Sequence, residues 1–301
     1  MARPINVALR SNGRIVSKDT ERLGWLQPSN PKSPMQQLKE QYQQQGYLWL
    51  KGLINSNPVR DFRHLFFEKC MQFRLIKEET MPENGIFSGH QVSVELMNKI
   101  MQAAICSTEY LTLSESPSLL NFLEEFFGGT ICSAKRKLIR CKVPGSSADT
   151  GAHYDYTYFR CGTDQFATCW IPVGDTSVEM GGLMYLEGSL SYGQIIEQQF
   201  NTKLTNLPHD QRYAIRTKGM GGIGWITKDL PYLANLTNSR WLVADYEAGD
   251  VVLHSPYIIH ASSSNLDPFG RIRLSTDVRY QKVNSGADER WQNIWQPHDG
   301  L

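Results

Sequence analysis

The spacing of apolar positions changes character near residue 131. Before it, the periods are helical. "MQQLKEQYQQQGYLWLKGL" opens as a polar helix from Met35, is halted by Gly46 and resumes as a short strand over 47–53. A second helix is predicted over about 58–77, where Phe62, Phe66, Phe67 and Cys70 recur at three- and four-residue spacing. Residues 95–105 and "SPSLLNFLEEFFGG" give two more, the latter started by Ser-Pro and ended by Gly128-Gly129. After Ile131 the runs become short, β-branched and aromatic: "KLIRCKV", "QFATCWIPV", "GGLMYLEGS", "WLVADYEAG", "DVVLHSP", "YIIHASS" and "RIRLSTDVRYQ". Gly, Pro, Asp and Ser punctuate them, so an antiparallel sandwich or small barrel with helices outside is expected.

Two stretches do not fit either rhythm. Residues 1–34 mix charge, Pro and Ser without a period and read as an N-terminal arm. Residues 191–239 are polar and Gly-rich and too long for a hairpin turn, so they read as an insertion or lid, with 220–224 (Met-Gly-Gly-Ile-Gly) as its flexible part. The expected organisation is therefore the arm followed by one domain over 35–301. That domain has helical support over 35–130 and a β core over 131–285.

Composition narrows the class without naming a function. With 31 Lys+Arg against 30 Asp+Glu there is no charge excess to draw the chain onto nucleic acid or an acidic membrane. The expected partner is a small-molecule substrate, with no nucleic acid and no membrane, and a homodimer is the one self-association considered. The six cysteines are scattered without a C-x-x-C pair and read as reduced thiols. No apolar leader segment or membrane-length run is visible, and the expected location is cytoplasmic.

The chemistry starts at "GAHYDYTYF", residues 151–159. On an extended chain, residues i and i+2 share a face, so His153 and Asp155 project an imidazole and a carboxylate into one space. The plain alternative is a surface pair at a strand end, and a third ligand decides between them. Of the seven histidines, His64, His90, His209 and His298 stand in helix-surface, loop or terminal contexts. His254 and His260 remain, in "GDVVLHSPYIIHASSSN", on either side of Pro256. His260 closes the apolar run Tyr257-Ile258-Ile259 and is the better ligand, while His254 is expected to hydrogen-bond locally or line the wall. Two histidines and a carboxylate with open positions suit non-heme Fe(II), although zinc can occupy the same three as a hydrolytic site. Alternation in "RIRLSTDVRYQ" places Arg271, Arg273 and Ser275 on one face. A fixed guanidinium there is the natural partner of a carboxylate-bearing cosubstrate.

These residues together resemble the phytanoyl-CoA dioxygenase family of Fe(II)/2-oxoglutarate oxygenases. The resemblance rests on H-x-D at 153–155, "CWIPVGD" at 169–175, "GGLMYLEGSL" at 181–190, "GDVVLHSPYIIHAS" at 249–262 and Arg271. It spans about residues 41–280. It implies a mainly β fold with flanking helices around a double-stranded β-helix (jelly-roll, cupin-like) core. It also implies Fe(II) on His153, Asp155 and His260, and 2-oxoglutarate as cosubstrate with O2. Arg271 would anchor the distal carboxylate, Ser262 would assist it, Trp170 would pack beside it, and Arg140 or Lys142 would reach its other end. Tyr154, Tyr156, Tyr158 and Phe159 are the expected substrate wall.

The implied activity is oxidation of an unactivated C–H of a small organic molecule in secondary metabolism, by hydroxylation, desaturation or rearrangement. Because Asp155 is retained where related halogenases carry a small residue, halogenation is disfavoured. An acyl-CoA hydroxylase of the same family, a zinc hydrolase and a non-catalytic jelly-roll binder are the alternatives.

Overall fold

The structure is a computed structural model, and it describes residue 5 and residues 8–17, 19, 21–146, 149–218 and 224–296. Residues 220–223 of the expected flexible stretch, and His298, lie outside the described residues. In chain order the strands and helices begin with β1 (Arg10–Ser11), β2 (Arg14–Ile15), β3 (Leu23–Trp25), β4 (Pro28–Ser29), α1 (Met35–Gln45) and β5 (Tyr47–Leu50). Next come α2 (Ser56–Met71), α3 (Val94–Ile105), α4 (Thr108–Ser114), α5 (Pro117–Phe127), β6 (Ile131–Ser133), β7 (Leu138–Lys142) and β8 (Phe166–Pro172). The chain continues through β9 (Leu183–Leu186), α6 (Leu190–Leu204), α7 (His209–Thr217), α8 (Leu230–Leu236) and β10 (Trp241–Val243), and ends in β11 (Val251–His254), β12 (His260–Ser262) and β13 (Arg273–Lys282).

The larger sheet runs β4-β5-β11-β8-β13-β6, with β7 also paired to β13; the smaller runs β12-β9-β10-β3. Their side chains divide by the two-residue period of a strand. From β5, β8 and β11, the residues Leu48, Leu50, Cys169, Ile171, Val251 and Leu253 join the core under α2 to α5, which holds Phe62, Phe66, Phe67 and Tyr110. Their alternates Tyr47, Trp49, Trp170 and Val252 face Tyr185 and Leu242 of the smaller sheet. Every residue of β8 is buried, because helices cover one face and the second sheet the other, and this is why "FATCWIP" is apolar but for Thr168. Trp241, Val243, Met184 and Leu186 point out of the sandwich into a third cluster with Leu9, Leu23 and Leu230.

The switch from helix to strand at residue 46 has a local cause. Gly46 takes φ +79°, closes α1 by donating to the Tyr42 carbonyl, and leaves no room for a Cβ beside the Ile258 side chain. Within residues 1–34, two short strands are built into the sheets: β3 pairs in parallel with β10 and β4 in parallel with β5. Isolated two- and three-residue strands have no sequence signature of their own, and these are held by partners more than 15 residues distant. The 191–239 stretch is largely helical, carrying α6, α7 and α8. Among the described residues, no helix is long and apolar enough to cross a membrane.

Candidate metal centre

The inner face of β13 carries charge where its outer face does not. Leu274, Val278 and Tyr280 pack towards the helices, while Arg273, Ser275, Asp277 and Arg279 are buried facing the sandwich interior. Such a row of charge in a core is costly unless every group is paired or serves a ligand. The register shows what it serves. Arg279 of β13 lies opposite Thr168 of β8, and Thr168 lies opposite His254 of β11. These three cross-strand neighbours all meet one carboxylate oxygen, Asp155 Oδ2: Arg279 Nη2 at 3.2 Å, His254 Nε2 at 3.4 Å, and the Thr168 hydroxyl in a short hydrogen bond.

Asp155 opens a 3-10 turn (Asp155–Tyr158), and the residue before it is extended with φ −124° and ψ 145°. His153 forms an isolated antiparallel bridge with His260, each donating its N–H to the other's carbonyl at 3.0 and 2.9 Å. Residues directly opposite in such a bridge project to the same side. Their rings accordingly stand 4.2 Å apart, centroid to centroid. The shared face of His153 and Asp155 expected from sequence thus comes from one bridged residue and one extended residue rather than from a continuous strand.

The protonation of each ring follows from its partner. His153 Nδ1 lies 2.9 Å from the Gly151 carbonyl and His260 Nδ1 3.0 Å from the Ile258 carbonyl. A carbonyl only accepts, so both Nδ1 atoms carry hydrogen and both Nε2 atoms present a lone pair. Those Nε2 atoms lie 3.8 and 3.6 Å from Asp155 Oδ1, which is buried and has no hydrogen-bond donor. His254 is arranged oppositely. Because the carboxylate accepts at its Nε2, its Nδ1 accepts from the Tyr185 hydroxyl at 2.9 Å.

Three lone pairs therefore converge with no proton among them, and the three ligand atoms lie within 4.8 Å of one another. This donor set fits a divalent cation with open coordination positions of the Fe(II) type. Backbone carbonyls fixing Nδ1, and three donors fixing Oδ2, are the outer contacts that such ligands require.

Burial resists charge on the imidazoles: it lowers the His153 pKa and holds His260 well below its ordinary value, His153 and His254 adding to the latter. Burial alone would raise the Asp155 carboxyl, but Arg279 and then His254 and His260 outweigh it and hold it well below the carboxylate range. The sign for stability is fixed by these directions. A histidine neutral when folded but titrating near about 6.5 when unfolded stabilises fully above that pH and less below it, because the unfolded chain then binds more protons. The metal-free protein should hold a constant Tm from pH 8 to 7 and lose several degrees between pH 6.5 and 5. His260→Gln should flatten that slope in thermal melts with a chelator present, and an unchanged slope would refute the assignment. The depressed Asp155 acts only at lower pH and leaves this window unaffected.

Two neighbouring cavities of about 320 Å³ each share Leu138, Arg140, Thr150 and Trp295, and one of them reaches the triad. One is bordered by Lys142 and Arg273. The other is bordered by His153, Asp155, Tyr158, Trp225, Trp291 and Arg279. A narrow recess joins Arg273, Ser262, Trp170 and Leu183 to the three ligands.

The two strand arginines separate sharply. Arg271 precedes the strand, where it forms a single bridge to Ile86, and its fork is filled by Asp267 at 2.6 Å with a third of the side chain exposed. Arg273 is buried, with Nη1 donating to Ser275 Oγ at 2.6 Å and Nε to the Gly181 carbonyl at 3.2 Å, and it faces the recess. Lys142 is buried among Asp149, Ser262 Oγ and the Ser263 carbonyl, at 2.8–2.9 Å, and burial brings its pKa down to about 8. Those three partners leave its ammonium no donor for a further group. Arg140 borders the recess but spends Nε on Asp277 at 3.2 Å.

Of the four rings expected at the substrate wall, Tyr158 stands edge-on to His153 at 5.7 Å and borders the cavity. Tyr154 turns away to donate to Glu197, Tyr156 packs on Tyr257, and Phe159 stacks on Trp291 at 4.0 Å. The 3-10 turn replaces the strand alternation that would have aligned them. Sequence reasoning missed Arg279, Thr168 and the tryptophans of the wall. Arg279 was within reach, since the alternation through 273 and 275 continues to 279.

Comparison with known proteins agrees with this geometry. Residues 42–272 match the sequence model of the phytanoyl-CoA dioxygenase (PhyH) family. The chain belongs to the phytanoyl-CoA dioxygenase family. It is thereby a non-heme Fe(II)/2-oxoglutarate-dependent dioxygenase by class. The 1-deoxypentalenic acid 11-beta-hydroxylase of Streptomyces arenae is 26% identical over 81% of this chain and 80% of its own length, and that of Streptomyces exfoliatus is 24% identical over the same shares. Among solved structures, EctD from S. alaskensis aligns with TM-score 0.55 at 13% identity, over 93% of this chain and 87% of its own. The non-heme alpha-ketoglutarate-dependent carbocyclase SnoK from nogalamycin biosynthesis aligns at 0.53 with 19% identity, over 85% and 87%. These likenesses carry the fold, the jelly-roll core expected from the strand-rich second half.

Proposed function

We propose that this member of the family uses Fe(II) held by His153, Asp155 and His260 to oxidise an unactivated C–H of a small organic substrate in secondary metabolism. The observation that carries the ligand assignment is the buried, donorless Asp155 Oδ1 facing two imidazole lone pairs. The hydroxylase names of the Streptomyces relatives support hydroxylation as the reaction.

When bound, iron and 2-oxoglutarate would supply the oxidising power, O2 giving one atom to succinate, formed together with CO2, and the other to the substrate. The protein's share is placement. Arg273, in place of Arg271, offers its guanidinium to the distal carboxylate of 2-oxoglutarate, because it alone of the pair is buried in the recess beside the ligands. Ser262 and Trp170 border the same recess. Thr168, His254 and Arg279 hold Oδ2 of Asp155, so that Oδ1 is the oxygen that would serve the metal. Trp225, from the 191–239 stretch, walls the cavity and excludes water as a lid element would.

Anaerobic titration of metal-free protein with Fe(II) and 2-oxoglutarate should produce the weak visible charge-transfer absorption of a chelated 2-oxo acid. Tight zinc binding with hydrolytic activity and no such absorption would transfer the site to the hydrolase class.

A further inference from the structure

The iron site uses only one nitrogen of Arg279. Nη2 reaches Asp155, but Nε and Nη1 are buried and have no hydrogen-bond partner. The side chain is 7% exposed. Its guanidinium is held in place by rings, lying 5.3 Å from the Trp291 centroid and 5.6 Å from that of Phe159. Ring faces attract the cation but accept no N–H hydrogen bond of ordinary strength. A buried, oriented arginine with idle donors is expensive in a folded protein unless a ligand completes it. The cavity it borders also carries Tyr158, Trp225 and Trp295 on its walls, with Arg136 and Arg140 as further cations and Asp155, already paired, as its acid.

We propose that Arg279 is the receptor for a carboxylate borne by an otherwise apolar, compact substrate, so that the protein acts on a free organic acid. This deepens the oxygenase reading and rests on it for calling this cavity the substrate chamber. Carboxylate is the matching chemistry because a planar guanidinium pairs with it in charge and geometry. The aromatic walls match an apolar scaffold, and about 320 Å³ is at the small end of ligand cavities. A thioester of the same acid lacks the anion and adds bulk. The proposal therefore decides against the acyl-CoA alternative. It also gives Arg279 a double role: the cation that braces Asp155 through Nη2 places the bound acid beside the ligand set.

The test uses 1-adamantaneacetate and its primary amide as probes of equal shape. Binding is read from quenching of tryptophan fluorescence in protein loaded with redox-inert Mn(II) and saturating 2-oxoglutarate. The acid should bind at least about tenfold more tightly than the amide, as expected for hydrogen bonds to a charged partner. In Arg279→Gln, compared at Mn(II) and 2-oxoglutarate concentrations that saturate the variant, the ratio of acid to amide affinity should fall below about twofold. Should that variant not fold, Arg279→Lys carries the test, since an ammonium lacks the planar fork and should lower the acid-to-amide ratio several-fold at saturating Mn(II).

Equal binding of acid and amide to the wild type, or no binding of the acid at all, overturns the proposal. So does a preference that survives Arg279→Gln while Mn(II) affinity falls, which would leave Arg279 as a brace for Asp155 alone. The oxygenase reading is scored separately by the Fe(II) and 2-oxoglutarate absorption of the wild type. Absorption without acid preference sinks only the receptor; acid preference without absorption sinks only the oxygenase.

Discussion

Arg273→Ala is expected to raise the Kd for 2-oxoglutarate by about 100-fold or more, whereas Arg271→Ala should change it by less than about twofold. The two side chains are two residues apart and share an alternation, yet their surroundings dictate opposite outcomes. Arg271 is tied to Asp267 in a partly exposed pair, an arrangement usually worth no more than about 1 kcal/mol. Its loss should cost slight stability. Arg273 is buried in the recess with His153, Asp155 and His260. Removing a desolvated guanidinium from a charge-assisted pair costs roughly 2–5 kcal/mol, most of it as affinity. Calorimetric titration of 2-oxoglutarate into Mn(II)-loaded variants measures both. Arg273→Lys should recover part of the affinity, because charge returns without the fork. If Arg271→Ala abolishes binding and Arg273→Ala spares it, the anchor belongs to the outer arginine and the recess is not the cosubstrate site.

The same pair shows how far the sequence could be read. The alternation through "RIRLSTDVRYQ" correctly grouped Arg273 with Ser275, but periodicity says nothing of where pairing begins. The strand starts at Arg273, and the earlier arginine is captured by Asp267 in a turn that no period announces. His153, Asp155 and His260 were legible because the constraint on two of them is local: i and i+2 on extended backbone share a face. His260 was singled out by its place at the end of an apolar run, and the structure sets it opposite His153 in a bridge.

The polar support behind Asp155 was not legible. Thr168, His254 and Arg279 come from three strands, and only the register across β13, β8 and β11 makes them neighbours. The wall tryptophans Trp225, Trp291 and Trp295 stand 70 or more residues from Asp155 in sequence, and nothing local marks them. The "GAHYDYTYF" rings misled for the converse reason. A two-residue period was assumed where the chain turns into a 3-10 helix, so three of the four rings leave the cavity.

The proposed metal ligands give the other large effect, and the way in which two variants differ is the informative part. His153→Ala removes a neutral proposed ligand whose side-chain hydrogen bond is to a backbone carbonyl, so the protein should stay folded while Fe(II) affinity falls about 100-fold or more and turnover disappears. Asp155→Ala should lose metal as fully and lose stability as well. It leaves Arg279 as a buried cation without its counter-charge and the Thr168 hydroxyl and His254 Nε2 without an acceptor. Breaking one side of a buried charge pair costs about 3–5 kcal/mol. Denaturant unfolding of the metal-free proteins isolates that cost, since neither variant then differs in bound ion. The double variant Asp155→Ala with Arg279→Met should regain much of the stability without regaining metal, because the uncompensated charge goes with its partner. Full iron loading in Asp155→Ala would remove the carboxylate from the ligand set. Equal stability of His153→Ala and Asp155→Ala would mean that Arg279 does not depend on Asp155, and that the row of donors across the larger sheet was built for something other than holding this carboxylate.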